Sequence, residues 1–426
     1  MITRLFEQMP SGSFLRNVSI LTGSTVFAQG ILAAALPLTT RLYTPLDFTM
    51  LAVYVSLLSI LIGIANLGLN YAIPLCKSDE DAINVFGAAG LASTTLSLAI
   101  AILVLVWPEE IAELLRQPDI RPYLWLFPVG LLVSSLYVIL QMWATRRKEF
   151  TLVARTRLTR SIVGAAAQLF LGYLVAGPLG LMVGFMLYNG MGVFGLALKM
   201  LRDDRLLLRA ISLKRIRRAF VEQKSYPLLT TPAYFLNITA LQLPVMIIAA
   251  GATGPEAGYV MLAMQVLGLP MGLVGAAVAQ VYSSEAAGKL RSGELSKFTT
   301  EIMWNLLRLG APVLIITAIL APLLFPIVFG SEWARAGYLI VWMTPWFILQ
   351  FVASPISTLL YVTENQYQAM LLQLAGLVMR VGPVMLAMKY FPAWAAEVYA
   401  VTGAVFYGVY VLVLRNLART SNSPGA

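Results

Sequence analysis

Three arginines stand inside otherwise apolar stretches: Arg160 in TRLTRSIVGAAAQ, Arg308 in MWNLLRLGAPVL and Arg380 in LLQLAGLVMRVGPVMLAM. A guanidinium offers a planar fork of N–H donors that matches phosphate and carboxylate oxygens, so arginines in oil point to capture of an anion. A charge at the centre of a membrane helix costs roughly 2.5–3.5 kcal/mol on insertion scales and faces a bundle interior or a watery cavity. Arg380 falls midway along the apolar stretch 369–388 and is too deep to reach headgroups; it lines a cavity or serves as a buried hydrogen-bond hub. Arg308 and Arg160 lie nearer the ends of their stretches, where a long stem can also snorkel to the interface. Arg41, in TTRLYTPLDFTML, closes the first apolar stretch and reads either as an interfacial anchor or as a contact at the outer mouth of a cavity.

Amides accompany these cations: Gln29, Asn66, Asn70, Gln168, Asn189, Asn237, Gln242, Gln265, Asn305, Gln350 and Gln373. Any one of them can be interhelical glue, whereas the set suits a wet lumen able to hydrogen-bond sugar. The candidate substrate-binding set is Arg380, Arg308, Arg160, Arg41, Gln29, Asn66 and Gln242.

What is missing narrows the chemistry. The chain has no His and one Cys, Cys76, which excludes imidazole catalysis, His-ligated metals, disulfides and Cys clusters; no cofactor or metal is expected. No Asp or Glu occupies the middle of an apolar stretch, and Asp47 and Glu397 fall at stretch ends. An exporter of cationic drugs needs an intramembrane carboxylate to pair with its cargo; here the buried charge repels a cation and attracts an anion.

The elements that must hold these residues are membrane helices. Of the 426 residues 59% are hydrophobic and 12% charged, too apolar for a soluble core. Spans of about twenty apolar residues are expected near 18–40, 48–73, 85–107, 123–143, 156–176, 178–199, 226–250, 257–280, 303–328, 338–361, 369–388 and 394–414: an all-α polytopic membrane protein. The polar start MITRLFEQMPSGSFLRN leads into a long apolar run, read as a retained first helix and not a cleaved leader. With the N-terminus inside, 23 of the 30 basic residues fall in the termini and even-numbered loops and 5 on the opposite side, which sets both termini in the cytoplasm. The net charge of +10 is thus a topology signal, and no nucleic-acid partner is expected.

The basic segment LRDDRLLLRAISLKRIRRAF divides the chain into a first six-helix half (1–199), a linker (200–224), a second half (225–415) and a cytoplasmic tail (416–426). In the linker Leu213, Ile216 and Phe220 share a helical face among cations, suited to anionic headgroups or simply to a topogenic loop. The longest outer loop, PEEIAELLRQPDIRP, leaves no room for an extracellular catalytic domain, so the chain is not expected to be an enzyme. TPLDFTMLAVY at 44 parallels GPEAGYVMLAMQ at 254, and YLWLFPVGLLVSSLYVIL at 123 parallels YLIVWMTPWFILQFVASPISTLLYV at 338. Extending that parallel sets Arg160 opposite Arg380, as in a repeat about the membrane normal. Pro37, Pro244, Pro270, Pro312, Pro345, Pro355 and Pro383 interrupt spans and offer places to bend.

The stretch STVFAQGILAAALPLTTRLYTPLDFTMLAVYVSLLSIL, followed by NYAIPLCKSDEDAINVF, resembles the start of the Wzx-type polysaccharide flippases, of the superfamily that also holds multidrug exporters and lipid II flippases. The resemblance implies two six-helix lobes around a central cavity that alternates between the two membrane faces. It implies as substrate an oligosaccharide on undecaprenyl diphosphate, an O-antigen or exopolysaccharide unit, moved across the bacterial cytoplasmic (inner) membrane. Membrane lipids, a polysaccharide polymerase and chain-length proteins are the implied partners. Thr49, Gly68 and Asn70 depart from the family pattern and put charge-dependent coupling through the second helix in doubt. A drug exporter of the same superfamily and a membrane glycan polymerase or ligase are the alternative readings.

Overall fold

Local chemistry sets where the chain turns. Helix α1 (Gly12–Leu42) ends at Arg41-Leu42, and the next helix is nucleated by a reciprocal cap: Thr44 Oγ1 accepts from the Asp47 N–H while the Asp47 carboxylate accepts from the Thr44 N–H. Pro45, needing no donor, takes the first position of α2 (Pro45–Ala65). The apolar run in the sequence extends this span to 73. The helix stops at Ala65 because Leu67 (φ 53°) and Gly68 (φ 67°) turn left-handed, and two short 3₁₀ turns follow.

The remaining helices are α3 (Asp79–Val106), α4 (Leu126–Arg146), α5 (Phe150–Leu174) and α6 (Leu179–Asp203, broken at Met191). A linker helix, Leu213–Glu222, precedes α7 (Thr231–Gly251), which begins with a π-helical turn, Tyr226–Thr230. Helix α8 (Glu256–Pro270) continues through a second π turn, Met271–Gly275, into Ala276–Arg291. Then come α9 (Leu295–Val328), α10 (Ala334–Ala353), α11 (Gln366–Tyr390) and α12 (Ala395–Thr420). Relative to expectation α8 runs on past 280, α9 starts earlier, and α10 stops short of 361, where Ser354 and Pro355 open a 3₁₀ turn.

This computed structural model describes residues 12–421 other than 253 and 364, and among these it contains helices and no strand. The N-terminal residues and most of the expected tail, 422–426, lie outside the described residues. Ten segments are individually long and apolar enough to cross a membrane. Helix α5 falls short because Arg155, Arg157 and Arg160 crowd its first half, and α8 because its regular stretch breaks at Pro270. Neighbours hold both in place: α5 packs along α1 and α6, and α8 along α2 and α10.

The twelve helices form two six-helix lobes. In the first, α1 packs on α5, α5 on α6, and α4 on α3 and α6; in the second, α9 packs on α10, α10 on α12, and α11 on α7 and α12. Glycines permit the close approaches: a Cβ at Gly184 would stand 2.2 Å from Gln168 Cγ, and one at Gly403 2.4 Å from the Trp346 ring. Helix α2 runs against α7 and α8 of the other lobe.

The linker, the start of α1 and the end of α12 share one end of the bundle, called here the basic end. There Asp79 takes Arg146 and Arg147, and Asp204 takes Arg147 and the Trp143 indole N–H (2.8 Å), tying α3, α4 and α6 together. Asp204 is 7% exposed. Asp204→Ala strands the indole donor and one arm of Arg147, a loss of about 1–3 kcal/mol. A lowered thermal midpoint in detergent should report it, and an unchanged midpoint would show that the network contributes nothing.

Candidate functional site

Five hydrogen bonds join the lobes among the described residues, all at the far end or mid-depth. Arg41 Nη2 donates to Ile327 O (2.7 Å), the Trp333 indole to Thr40 O (3.2 Å), Gln117 Nε2 to Ala249 O (2.6 Å), the Gly258 N–H to Thr49 Oγ1 (3.1 Å) and Ser56 Oγ to Gln242 Oε1 (2.9 Å). Phe48 meets Trp333 edge-on at 4.7 Å between centroids. At Gly258 the backbones of α8 and α2 come close: a Cβ there would lie 2.2 Å from Pro45 O. The far end is therefore sealed.

Below this seal lies a cavity of about 270 Å³ between α1, α2, α5, α6 and α8. Its polar lining is Gln29, Thr39, Gln168, Tyr188 and Gln265, and none of its lining residues is acidic. The amides come from both lobes, Gln29 and Gln168 from the first and Gln265 from the second. Gly164 lets Tyr188 close on α5, a Cβ there standing 2.7 Å from Tyr188 Cβ.

On α5 a stripe at helical spacing runs from the cavity toward the basic end: Gln168, Gly164, Arg160, Arg157. The Arg160 guanidinium lies between the rings of Tyr188 and Tyr137, 4.6 and 4.8 Å from their centroids, with Nη2 3.4 Å from the Tyr188 hydroxyl. Arg157 Nη1 donates to Thr25 Oγ1 of α1 (2.9 Å). Both arginines remain partly exposed. Two cations beneath a pocket of amides can hold a doubly charged anionic group at the rim and a hydroxyl-rich body inside.

The seven expected contacts scatter over the molecule. Gln29 lines the cavity and Arg160 stands a turn beneath it. Arg41 and Gln242 belong to the seam between lobes, and Asn66, 5% exposed, caps the end of α2. Arg308 does not turn inward: it is exposed on the outer face of α9 beside Trp304, because the inner face of that helix is occupied by Leu306, Gly310 and Leu314.

Arg380 is 0% exposed and lies inside the second lobe, 4.2 Å from the Phe406 ring centroid, 5.0 Å from Tyr407 and 5.9 Å from Trp346. Ring faces surround this guanidinium, and among the described residues none of its nitrogens has a partner that meets hydrogen-bond geometry, although the Tyr407 hydroxyl is near enough to interact. The expected cluster of Arg380 with Arg308 is thus not formed, and neither reaches the cavity in this state.

The repeat explains the resemblance between Arg160 and Arg380. Each sits on the fifth helix of its lobe and meets rings of the fourth and sixth, Tyr137 and Tyr188 in one case, Trp346, Phe406 and Tyr407 in the other. In the first lobe that box abuts a cavity; in the second it is packed shut. Arg157 lies outside the expected set, although its spacing of three from Arg160 in ARTRLTR places both on one face. Two acidic groups at the far end of the second lobe, Glu256 and Glu397, are both taken by Arg335, and a third, Glu332, stands exposed in the turn before α10.

A family model described as polysaccharide biosynthesis protein matches residues 38–337. No curated protein matches the sequence significantly. The lipid II flippase MurJ in an inward closed conformation superposes with a TM-score of 0.70 at 13% identity, covering 92% of this chain and 86% of that one. A multidrug resistance MATE family transporter of the MOP superfamily, inward-facing, gives 0.67 at 13% identity over 100% and 99%. A Vibrio cholerae MATE transporter in its bent form gives 0.57 at 14% identity over 96% and 98%. At these identities the likeness is one of fold.

Proposed function

The chain belongs to the polysaccharide biosynthesis protein family, and from that membership and the lining of its cavity we propose that it is a flippase for an undecaprenyl-diphosphate-linked oligosaccharide. The observation that carries this reading is the pairing of Arg157 and Arg160 with an amide-lined cavity free of acidic residues. The diphosphate binds at the two guanidinium groups, where planar N–H forks meet phosphate oxygens. The glycan enters between Gln29, Gln168 and Gln265, whose amides both donate and accept. The polyprenyl tail stays in lipid beside the lobes.

On this proposal the basic end faces the cytoplasm of a bacterium, in keeping with the distribution of Lys and Arg. The seam at the far end parts as the basic end closes, and the oligosaccharide is released to the outer leaflet. There a polysaccharide polymerase with its chain-length proteins, in an O-antigen or exopolysaccharide route, consumes it. A ligand moves such an equilibrium only through unequal contacts in the two states, so Arg157 and Arg160 must hold the substrate differently when the seam opens. The acid-free lining disfavours a cationic drug as cargo, and no catalytic role is proposed.

The reading is tested by locating the lipid-linked oligosaccharide in cells lacking the gene. Accumulation on the inner leaflet, cleared by the wild-type chain, is the expected result. Normal arrival at the outer leaflet together with increased sensitivity to cationic drugs would replace the flippase with an exporter.

A further inference from the structure

We propose that the linker helix Leu213–Glu222 is a lipid-binding shelf that seats on anionic phospholipid headgroups of the leaflet at the basic end. The proposal goes beyond the transport reading and stands whatever the cavity carries. One side of this helix is already occupied by α3. Ile216 lies against Gly87, where a Cβ would stand 3.4 Å from its Cδ1, Ala219 is buried, the Ser212 N–H donates to Asn84 Oδ1, and Arg215 pairs with Glu80.

The opposite side carries Leu213, Lys214, Arg217 and Val221, with Leu213 77% and Val221 62% exposed. Arg218 is paired with Glu222, whereas Lys214 and Arg217 have no ion-pair partner among the described residues. Bare leucine and valine are costly in water, and unpaired cations are costly in hydrocarbon. A face that mixes them is satisfied at the headgroup boundary, where stems and apolar side chains dip inward and charges meet phosphate.

The position of the helix along α3 gives the depth. Glu80, Asn84 and Gly87, which the linker covers, begin a stripe at helical spacing that continues as Leu91, Leu98, Ile102 and Leu105, all 51% exposed or more. The stripe passes from linker-covered and polar to bare and apolar between Gly87 and Leu91, about 6 Å of helix rise. The linker helix therefore lies within about two turns of the hydrocarbon edge, on the lipid-facing side of the lobe. Each cation at an anionic surface strengthens binding by about fivefold.

The test uses the full chain in vesicles of equal phosphatidylglycerol and phosphatidylcholine, with Cys76→Ser and Val221→Cys carrying a bimane. The acyl chains of one lipid or the other bear a nitroxide near the headgroup. Nitroxide on phosphatidylglycerol should quench the label about fivefold more strongly than nitroxide on phosphatidylcholine, and Lys214→Glu with Arg217→Glu should abolish the difference. A label at Leu98→Cys, in the bare stripe, should be quenched by both lipids and verifies insertion. Equal quenching at Val221→Cys by both lipids, or by neither, would overturn the proposal.

Discussion

Replacing Arg157 and Arg160 together by Ala is expected to lower flipping by on the order of 100-fold at unchanged protein level. A hydrogen bond to a charged group contributes about 1.5–3 kcal/mol, so two such contacts at the low end already give a hundredfold. The measurement is the initial rate at which lipid-linked oligosaccharide becomes accessible on the outer face of proteoliposomes. Arg380→Met supplies the contrast. Removing a midplane guanidinium regains roughly 2.5–3.5 kcal/mol of insertion cost, and losing its contacts with Phe406 and Tyr407 forfeits about 1–2 kcal/mol each. These terms nearly cancel, so Arg380→Met should fold and flip within about threefold of wild type. A collapse of flux in Arg380→Met with normal folding would return that residue to the substrate path.

The second large effect is expected at Gly258. Its would-be Cβ meets Pro45 O at 2.2 Å, Thr49 N at 3.0 Å and Thr49 Oγ1 at 3.1 Å, two of them backbone atoms that cannot rotate aside. Gly258→Val thus wedges the seam by at least the 1–3 kcal/mol typical of overpacking, and the open far end gains in population by roughly 5- to 150-fold. Distances between spin labels on Leu46 and Tyr338, near the far ends of the two lobes, should lengthen, and flipping should nearly stop. Unchanged distances would mean that the lobes do not separate at Gly258.

Much of this architecture is legible in the sequence, because twenty-residue apolar runs and the skew of Lys and Arg follow from the bilayer alone. The site is only partly legible. Counting along 369–388 gives the depth of Arg380 but not its face. Gly376 and Arg380 both turn toward α12, where a Cβ at Gly376 would stand 2.7 Å from the Phe406 ring. Nothing within α11 announces the rings that await it. Arg157, Arg160, Gly164 and Gln168 are in register in the sequence, yet arginines near a helix end also snorkel, and only the placement of Tyr188 and Thr25 separates the two outcomes. Arg41 is the opposite case: its position at the end of α1 is plain, but its acceptor, Ile327 O, lies 286 residues away.

The seam between the lobes also sets an energy scale for the whole cycle. Its five hydrogen bonds, at a net 0.5–1.5 kcal/mol apiece, amount to about 2.5–7.5 kcal/mol. Reversing a two-state population from 1:99 to 99:1 takes about 5.5 kcal/mol, a value inside that range. A ligand that binds the open arrangement about 10⁴-fold more tightly than the closed one would supply that difference. On the proposed function, the two lobes are fastened tightly enough to hold one leaflet shut while idle, and loosely enough for a cargo with that preference to be the key.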